Sequence, residues 1–285
     1  MKKITVLLSL FLAAASTGLA QNYSEMKIWP DGLPNSNGAD LTKPYDDATG
    51  NYEPTVRVYL PDKSKATGRA ILCIPGGGYG TVVSEPEGYS WAPYFVERGI
   101  ALIVLKYRLP MGNYASVPST DAFEAMRIIR RHAKEWNIDP HKVGVMGHSA
   151  GGHLAATVAT LAEGDARPDF QILFYPVITM DKRYTHMGTH DNLIGKDPQP
   201  EIADYYSCEK QVQPGDAPAL ILVTDDDTVV PSENSVSYYL ALQKAGVSAS
   251  LHVYPAGEHG FSNHKTFRSH DVMLDDLFSW IDSLK

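Results

Sequence analysis

One short segment of the sequence has the pattern of a nucleophilic serine. Residues 147–151 read Gly-His-Ser-Ala-Gly, which matches G-x-S-x-G, and they lie between a predicted strand and an apolar helix. Such a tight turn lifts the hydroxyl of Ser149 above a sheet, and glycine is needed on either side because a side chain there would collide with a neighbouring element. The helix then offers the backbone N–H of Ala150 and its positive dipole end to a developing oxyanion. The alternative is a glycine-containing turn with a passive serine.

A second segment could complete an oxyanion hole. Residues 75–79 read Pro-Gly-Gly-Gly-Tyr and follow a short apolar run. They resemble the HGGG-type loop of lipases and esterases, with Pro75 in place of the usual histidine. Successive glycines let the backbone approach a substrate closely, so Gly77 and Gly78 are the predicted donors. A plain tight turn is the alternative, and no G-x-G-x-x-G or Gly-Lys-Ser/Thr pattern supports a nucleotide site.

Two further segments supply an acid and a base. Asp225, Asp226 and Asp227 directly follow a predicted strand, and His259 lies just past the last one. A serine hydroxyl is a weak nucleophile until a base removes its proton, and the histidine needs a carboxylate to hold its tautomer. The chain order of serine, aspartate and histidine, each at the C-terminal end of a strand, is that of α/β-hydrolases. The pattern leaves open which aspartate orients His259.

Histidine pairs also raise the alternative of metal catalysis. His186 and His190 are four residues apart, and His259 and His264 are five apart. Neither pair lies on a clearly predicted helix, and no HExxH motif is present. The serine, histidine and aspartate account for catalysis, so we expect neither a metal nor a cofactor.

The elements that position these residues alternate between short β-rich runs and helical patterns. This alternation predicts an α/β protein with a mainly parallel sheet and helices on both faces. A helix is predicted over 121–136, with Asp121 and Glu124 as a capping pair, and further helices open near Ala150 and cover 232–245 and 267–284. The predicted strands are Thr55–Leu60, Arg69–Ile74, Ile100–Tyr107, Lys142–Met146, Gln171–Tyr175, Ala219–Val223 and Ser250–Tyr254.

The organisation predicted for the chain is a leader followed by one domain. Residues 1–20 have a charged start, an apolar run and small residues ending at Ala20, as in a secretory signal peptide. Residues 21–285 are expected to form a single domain, with 23–52 as an irregular arm and 181–215 as an insertion or cap near the site. Aromatic side chains are as often part of the core as of a site, but five side chains are candidates for lining a sugar or acyl site: Tyr79, Tyr89, Trp91, Tyr114 and His190.

Charge and cysteine content restrict the partners. Loss of Lys2 and Lys3 with the leader, which contains no acid, changes the formal charge from −8 to −8 − 2 = −10, so nucleic acid is excluded as a favoured partner. After the leader, no apolar run is long enough for a membrane span. Cys73 and Cys208 are expected to be free thiols, although an exported protein could form a disulfide. Nothing in the sequence fixes the oligomeric state.

Taken together, the motifs resemble one family of enzymes. PGGGY, LKYRLP (105–110), GHSAGGHLA, DDDTVVP and GEHGF are similar to segments of the small bacterial α/β-hydrolases known as acetyl xylan esterases or feruloyl-esterase-like carbohydrate esterases. The resemblance covers nearly the whole chain after the leader and favours Asp227 as the orienting acid. It implies hydrolysis of acyl esters, with acetyl expected, on xylan-type polysaccharides or their fragments. Export to the periplasm or the medium, which the leader predicts, fits this activity.

The same scaffold supports other activities. The alternatives are a prolyl-oligopeptidase-like peptidase, another short-chain carboxylesterase, and a catalytically silent sugar-binding relative. A silent relative would lack one of the three catalytic residue types, and all three are present.

Overall fold

The computed structural model describes residues 22–47 and 49–284, so the predicted leader over 1–20 lies outside the described residues. A single mixed sheet organises the described part of the chain. Its eight strands are β1 Tyr23–Lys27, β2 Thr55–Tyr59, β3 Ala70–Ile74, β4 Ala101–Lys106, β5 Val143–His148, β6 Gln171–Phe174, β7 Ala219–Thr224 and β8 Ala249–Tyr254. The ends of β2 to β8 lie within two residues of the predicted ones, whereas β1 was not predicted.

The order of the strands across the sheet is β1-β2-β4-β3-β5-β6-β7-β8. β1, β2 and β4 pair antiparallel, and all other pairs are parallel. Ile74 at the end of β3 pairs with Gly147 near the end of β5, so the chain leaves these two central strands at the same edge of the sheet. That edge carries the predicted site, as in other open α/β sheets.

Helices cover both faces of the sheet. They are α1 Ser84–Glu87, α2 Ala92–Val96, α3 Ser116–Arg131, α4 Ala150–Leu161, α5 Met187–Ile194, α6 Pro200–Tyr205, α7 Glu233–Lys244 and α8 His270–Ser283 among the described residues. Side chains of α3, α4 and α7 belong to one hydrophobic cluster, and those of α2 and α8 belong to the other. The predicted α/β-hydrolase fold is confirmed.

Successive side chains of β3 lie on opposite faces of the sheet, and this shows why both faces of the sheet need helices. Leu72 and Ile74 join the cluster under α3, α4 and α7, whereas Ile71 and Cys73 join the cluster under α2 and α8. All five β3 residues are buried, as expected for a strand covered on both sides. Cys208 packs in the first cluster, so the two cysteines lie on opposite sides of the sheet, and both are free.

The prediction for the first long helix was wrong in two respects. The helix spans Ser116–Arg131 rather than 121–136, and Asp121 is not part of a cap. The Asp121 carboxylate is fully buried and accepts hydrogen bonds from the Arg108 guanidinium, at 2.6 and 2.9 Å, and from Nε1 of Trp29, at 2.8 Å. The Asp121 carboxylate is engaged by Arg108 and Trp29 in the interior, so it lies inside the helix and does not cap its first turn.

The predicted irregular arm contains a strand. β1 pairs with β2 from Tyr23 opposite Tyr59 to Lys27 opposite Thr55. Its sequence, Tyr-Ser-Glu-Met-Lys, has little β-propensity, and none of its residues is buried. The exposed edge of β2 supplies the backbone hydrogen bonds, so tertiary context overrides local preference.

The region predicted as an insertion, 181–215, contains α5, α6 and a short 3₁₀ turn at Cys208–Lys210. α5 lies against the loop that follows β3, where the Asn192 amide donates to the carbonyl of Gly78 at 2.8 Å. Across the described part of the chain, no helix is both long and apolar enough to cross a membrane.

Candidate active site

Ser149 occupies the sharp turn between β5 and α4. Its backbone angles, φ 54° and ψ −121°, lie in a region that residues with a side chain rarely adopt. A Cβ at Gly147 would lie 2.2 Å from the carbonyl oxygen of Gly151, and one at Gly151 would lie 2.2 Å from that of Ile74. Both glycines are therefore required by close backbone packing, which holds the serine in this strained conformation.

The structure brings Ser149, His259 and Asp227 into one hydrogen-bonded chain. Ser149 Oγ lies 2.8 Å from His259 Nε2, and His259 Nδ1 lies 2.7 Å from Asp227 Oδ2. The Asp227 side chain is fully buried, whereas that of His259 keeps 16% of its surface exposed. The carboxylate assigns the proton to Nδ1, which leaves Nε2 free to accept the serine proton.

Backbone groups fix the orientation of the Asp227 carboxylate. Its Oδ1 accepts hydrogen bonds from the N–H groups of Val229 and Val230, at 2.9 and 2.8 Å. Oδ2 is left to face His259. Of the three adjacent aspartates, Asp227 is the one that contacts the histidine.

Asp226 has a separate part in building the site. Its Oδ1 accepts hydrogen bonds from the N–H groups of Gly257 and Glu258, at 2.9 and 2.8 Å. The hydroxyl of Thr224 also donates to the carbonyl of Glu258, at 2.8 Å. The loop after β7 thus holds the loop after β8, immediately before His259, a contact that the sequence pattern did not reveal.

We call residues 75–80 the oxyanion loop. Gly77 and Gly78 have φ values of 119° and 62°, and the carbonyl of Gly77 accepts hydrogen bonds from the N–H groups of Gly80 and Thr81. Among the described residues, no group accepts a hydrogen bond from the N–H of Gly77, Gly78 or Ala150. The three predicted donors therefore make no hydrogen bond within the described part of the protein.

The oxyanion loop lies directly against the serine turn. A Cβ on Gly76 would lie 2.9 Å from the Cβ of Ser149 and 2.6 Å from the carbonyl oxygen of His148. The N–H of Gly76 itself is used elsewhere, because it donates to Glu87 at 2.7 Å. The glycine at this position allows the loop to approach Ser149 without a steric clash.

Glu87 is a buried acid that sequence reasoning missed. It lies in α1, its residue is 8% exposed, and its second carboxylate oxygen accepts a hydrogen bond from Tyr175 at 3.0 Å. The Tyr175 ring packs edge-on against His259, with centroids 4.8 Å apart. Burial raises the pKa of the Glu87 carboxyl, and the hydrogen bonds from Gly76 and Tyr175 oppose that rise. The local sequence, Ser-Glu-Pro-Glu-Gly, reads as an exposed turn and carries no signal of burial.

Three of the five side chains that were candidates for lining the site are buried in the protein interior. Tyr79 is buried and its hydroxyl donates to His153 at 2.9 Å, and buried Trp91 donates to Ser262 at 3.0 Å. His190 is also buried, with Nδ1 2.9 Å from Asp191. Tyr79 and Trp91 pack in the interior because their polar atoms find partners there, whereas Nε2 of His190 is buried without a hydrogen-bond partner among the described residues.

The other two candidates lie nearer the surface. Tyr89 is half-buried and packs under the guanidinium of Arg57, whereas Tyr114 is 39% exposed and lies over Gly38. A cleft of about 350 Å³ borders His259 and is lined by Asp226, Phe261 and His264 among others. A larger groove of about 990 Å³, lined by the arm, β2 and α1, includes none of the three triad residues.

Comparison with known proteins agrees with this geometry. A family model described as BD-FAE matches residues 56–242, which is more than half of the 285-residue chain and includes Ser149 and Asp227. The chain belongs to the BD-FAE family. Membership confirms the resemblance that the motifs indicate and the fold that they predict.

Two curated relatives of this BD-FAE protein have names drawn from xylan chemistry. It is 41% identical over 230 residues to an acetylxylan esterase of Xylanibacter ruminicola, across 79% of this chain and 47% of the relative. It is 36% identical over 223 residues to endo-1,4-beta-xylanase B of Butyrivibrio fibrisolvens, across 73% of this chain and 33% of the relative. The chain thus spans less than half the length of each of these relatives.

A solved structure matches nearly the whole chain. The acetyl ester-xyloside bifunctional hydrolase from Caldicellulosiruptor lactoaceticus superposes with a TM-score of 0.77 at 31% sequence identity. The match covers 94% of this BD-FAE chain and 100% of that chain.

Proposed function

We propose that this protein is a serine esterase that removes acyl groups, acetyl above all, from xylan-type polysaccharides or their fragments. The observation that carries the proposal is the 2.8 Å contact between Ser149 Oγ and His259 Nε2, continued at 2.7 Å to the buried Asp227. The names of the two curated relatives and the structural neighbour support the substrate class.

Acylation begins when His259 Nε2 removes the proton of Ser149, whose Oγ attacks the ester carbonyl carbon. The carbonyl π electrons move to oxygen, and the unoccupied N–H groups of Gly77, Gly78 and Ala150 donate to this oxyanion. Asp227 stabilises the imidazolium through Nδ1. Collapse of the tetrahedral intermediate breaks the bond to the sugar oxygen, which takes its proton from His259.

Deacylation repeats these steps with water. His259 Nε2 removes a proton from a water molecule, and the resulting hydroxide attacks the acetyl carbon held on Ser149. The same N–H groups stabilise the second oxyanion. Ser149 leaves with the proton from His259, and the product departs as acetic acid, which loses its remaining proton to solvent to give acetate. The enzyme returns to its starting state without any external reductant or oxidant.

Export is part of the proposal. Intact polysaccharides of plant cell walls do not cross bacterial membranes, so an enzyme that acts on the polymer meets it outside the cytoplasm. Cleavage after Ala20 predicts a mature protein that starts at Gln21. N-terminal sequencing of protein from the periplasm and the medium tests this, and a retained leader in the cytoplasm contradicts it.

The experiment that tests the activity compares substrate classes. Acetate release from acetylated xylan and xylo-oligosaccharides is measured beside cleavage of an aminoacyl-proline amide, which a peptidase of the prolyl-oligopeptidase kind would prefer. An organophosphonate that labels the wild type once per chain, and does not label the Ser149→Ala variant, identifies the nucleophile. Ser149→Ala is expected to lower kcat by at least about 10³-fold. Turnover within tenfold of the wild type contradicts the mechanism.

A further inference from the structure

His186 lies beside the oxyanion loop, at the beginning of α5. Its Cε1 is 3.7 Å from the position that a Cβ on Gly78 would occupy. The residue is half-exposed, unlike the neighbouring His190, which is fully buried. Desolvation lowers the pKa of His186, and the charge of His259 lowers it further, while Asp227 opposes the shift. The ring is therefore within electrostatic reach of the triad.

The hydrogen bonds of His186 fix its tautomer. The backbone N–H of Thr189 donates to Nδ1 at 3.3 Å, and the Thr189 hydroxyl lies 2.8 Å from the same atom. A backbone N–H can only donate, so Nδ1 carries a lone pair and the proton lies on Nε2. With its pKa below the usual 6.5, the ring is neutral at pH 7.

The Nε2–H of His186 is an unused donor. It forms no hydrogen bond with the described residues, and the residue is half-exposed. Capping α5 does not explain the choice of histidine, because asparagine, aspartate, serine and threonine are the preferred residues at this position. The imidazole thus offers a polar group to the site that the cap does not require.

We propose that His186 is a specificity-determining residue, whose Nε2–H donates a hydrogen bond to an oxygen of the sugar on the alcohol side of the ester. The inference rests on the proposed esterase function. An acetyl group has only one oxygen outside the bond that breaks, and the N–H groups of Gly77, Gly78 and Ala150 are available to that oxygen. Any further donor beside the oxyanion loop meets its acceptor on the sugar.

Two substitutions separate this role from capping. His186→Asn keeps an acceptor for the N–H of Thr189. It removes the Nε2–H donor, because the shorter asparagine side chain cannot reach the sugar oxygen. His186→Ala removes both. Each variant is assayed on acetylated xylo-oligosaccharides and on 4-nitrophenyl acetate, whose alcohol side has no sugar hydroxyl, and its thermal midpoint is measured.

Both variants are expected to lose about five- to tenfold in kcat/KM on the acetylated xylo-oligosaccharides, the effect of one neutral hydrogen bond. On 4-nitrophenyl acetate they should stay within about twofold of the wild type. Equal losses on both substrates overturn the proposal. So does a loss confined to His186→Ala with a lowered thermal midpoint, which indicates a cap only. A wild-type enzyme that hydrolyses neither substrate contradicts the esterase function itself, whereas a wild type active only on 4-nitrophenyl acetate contradicts the sugar specificity.

Discussion

The buried carboxylate of Glu87 accepts a 2.7 Å hydrogen bond from the backbone N–H of Gly76, the first glycine of the oxyanion loop. The same side chain accepts a hydrogen bond from Tyr175, whose ring packs against His259. One acid thus links the oxyanion loop to the ring that packs against His259. We therefore predict that Glu87 positions both halves of the candidate site.

Glu87→Ala is expected to lower kcat on 4-nitrophenyl acetate by at least about tenfold. It leaves the Gly76 N–H and the Tyr175 hydroxyl without an acceptor, at a cost of about 1–3 kcal/mol each in folding free energy. Glu87→Gln keeps an oxygen for Gly76 and should retain most activity. Steady-state kinetics and urea unfolding of the two variants check this, with Tyr175→Phe as the control that removes one bond only. Full activity of Glu87→Ala would falsify the positioning role.

Amide substitutions should distinguish the three adjacent aspartates. Asp227→Asn disturbs the tautomer of His259 and is expected to lower kcat by at least about 10²-fold. Asp226→Asn keeps the oxygen that accepts from Gly257 and Glu258, and Asp225 is exposed, so each of these variants should change kcat by less than about tenfold. The kcat of each variant on 4-nitrophenyl acetate is the measurement. If Asp226→Asn is the most damaging of the three, the assignment of the acid is wrong.

Two buried histidines should make the fold sensitive to acid. Desolvation lowers the pKa of His148 to about 3 and that of His153 to about 4. Above pH 6.5 both histidines are neutral in the folded and unfolded states. As the pH falls below about 6.5, only the unfolded chain takes up these protons, so the stability present at neutral pH is lost. Both folded pKa values lie below 5, so at pH 5 only the unfolded chain is protonated at these positions. This proton uptake lowers the free energy of unfolding by about 2 kcal/mol per histidine between pH 7 and pH 5.

Urea unfolding of His153→Gln at pH 7 and pH 5 measures this effect. A glutamine amide can accept from the Tyr79 hydroxyl and donate to the carbonyl of Tyr206, as the neutral imidazole does. The loss of stability between the two pH values should then shrink by about 2 kcal/mol relative to the wild type. An unchanged difference means that His153 is not the source of the acid sensitivity.

The buried ion pair of Arg108 and Asp121 should be essential for stability. Asp121→Asn leaves the guanidinium in the interior without its counter-charge, which is expected to reduce the free energy of unfolding by about 3–5 kcal/mol. The exposed pair of Lys182 and Asp197 provides the control, and Asp197→Asn should change stability by less than about 1 kcal/mol. Chemical denaturation of the two variants gives both values, and similar effects would show that burial does not set the strength of the Arg108 pair.

The local hydrophobic pattern of the sequence predicted the sheet because the central strands of the sheet are buried on both faces. β3, β4 and β7 appear in the sequence as continuous apolar runs, and only a strand covered by helices on both sides tolerates such a run. β1 escaped prediction because its residues have no such bias, and its strand conformation depends on pairing with the edge of β2. The start of α3 was misplaced for a related reason, since the partner of Asp121 comes from outside the helix.

The sequence by itself determined the residue types and chain order of the candidate site, because the turn around Ser149 and the ends of β7 and β8 are set by short-range patterns. The family resemblance favoured Asp227 among the three aspartates, and the tertiary contacts place its carboxylate against His259. Tertiary structure alone decided which acid holds Gly76. It also decided that His186 lies at the oxyanion loop whereas His190 is buried. These outcomes depend on contacts between segments far apart in the chain, where burial and hydrogen-bond geometry select among chemically equivalent side chains.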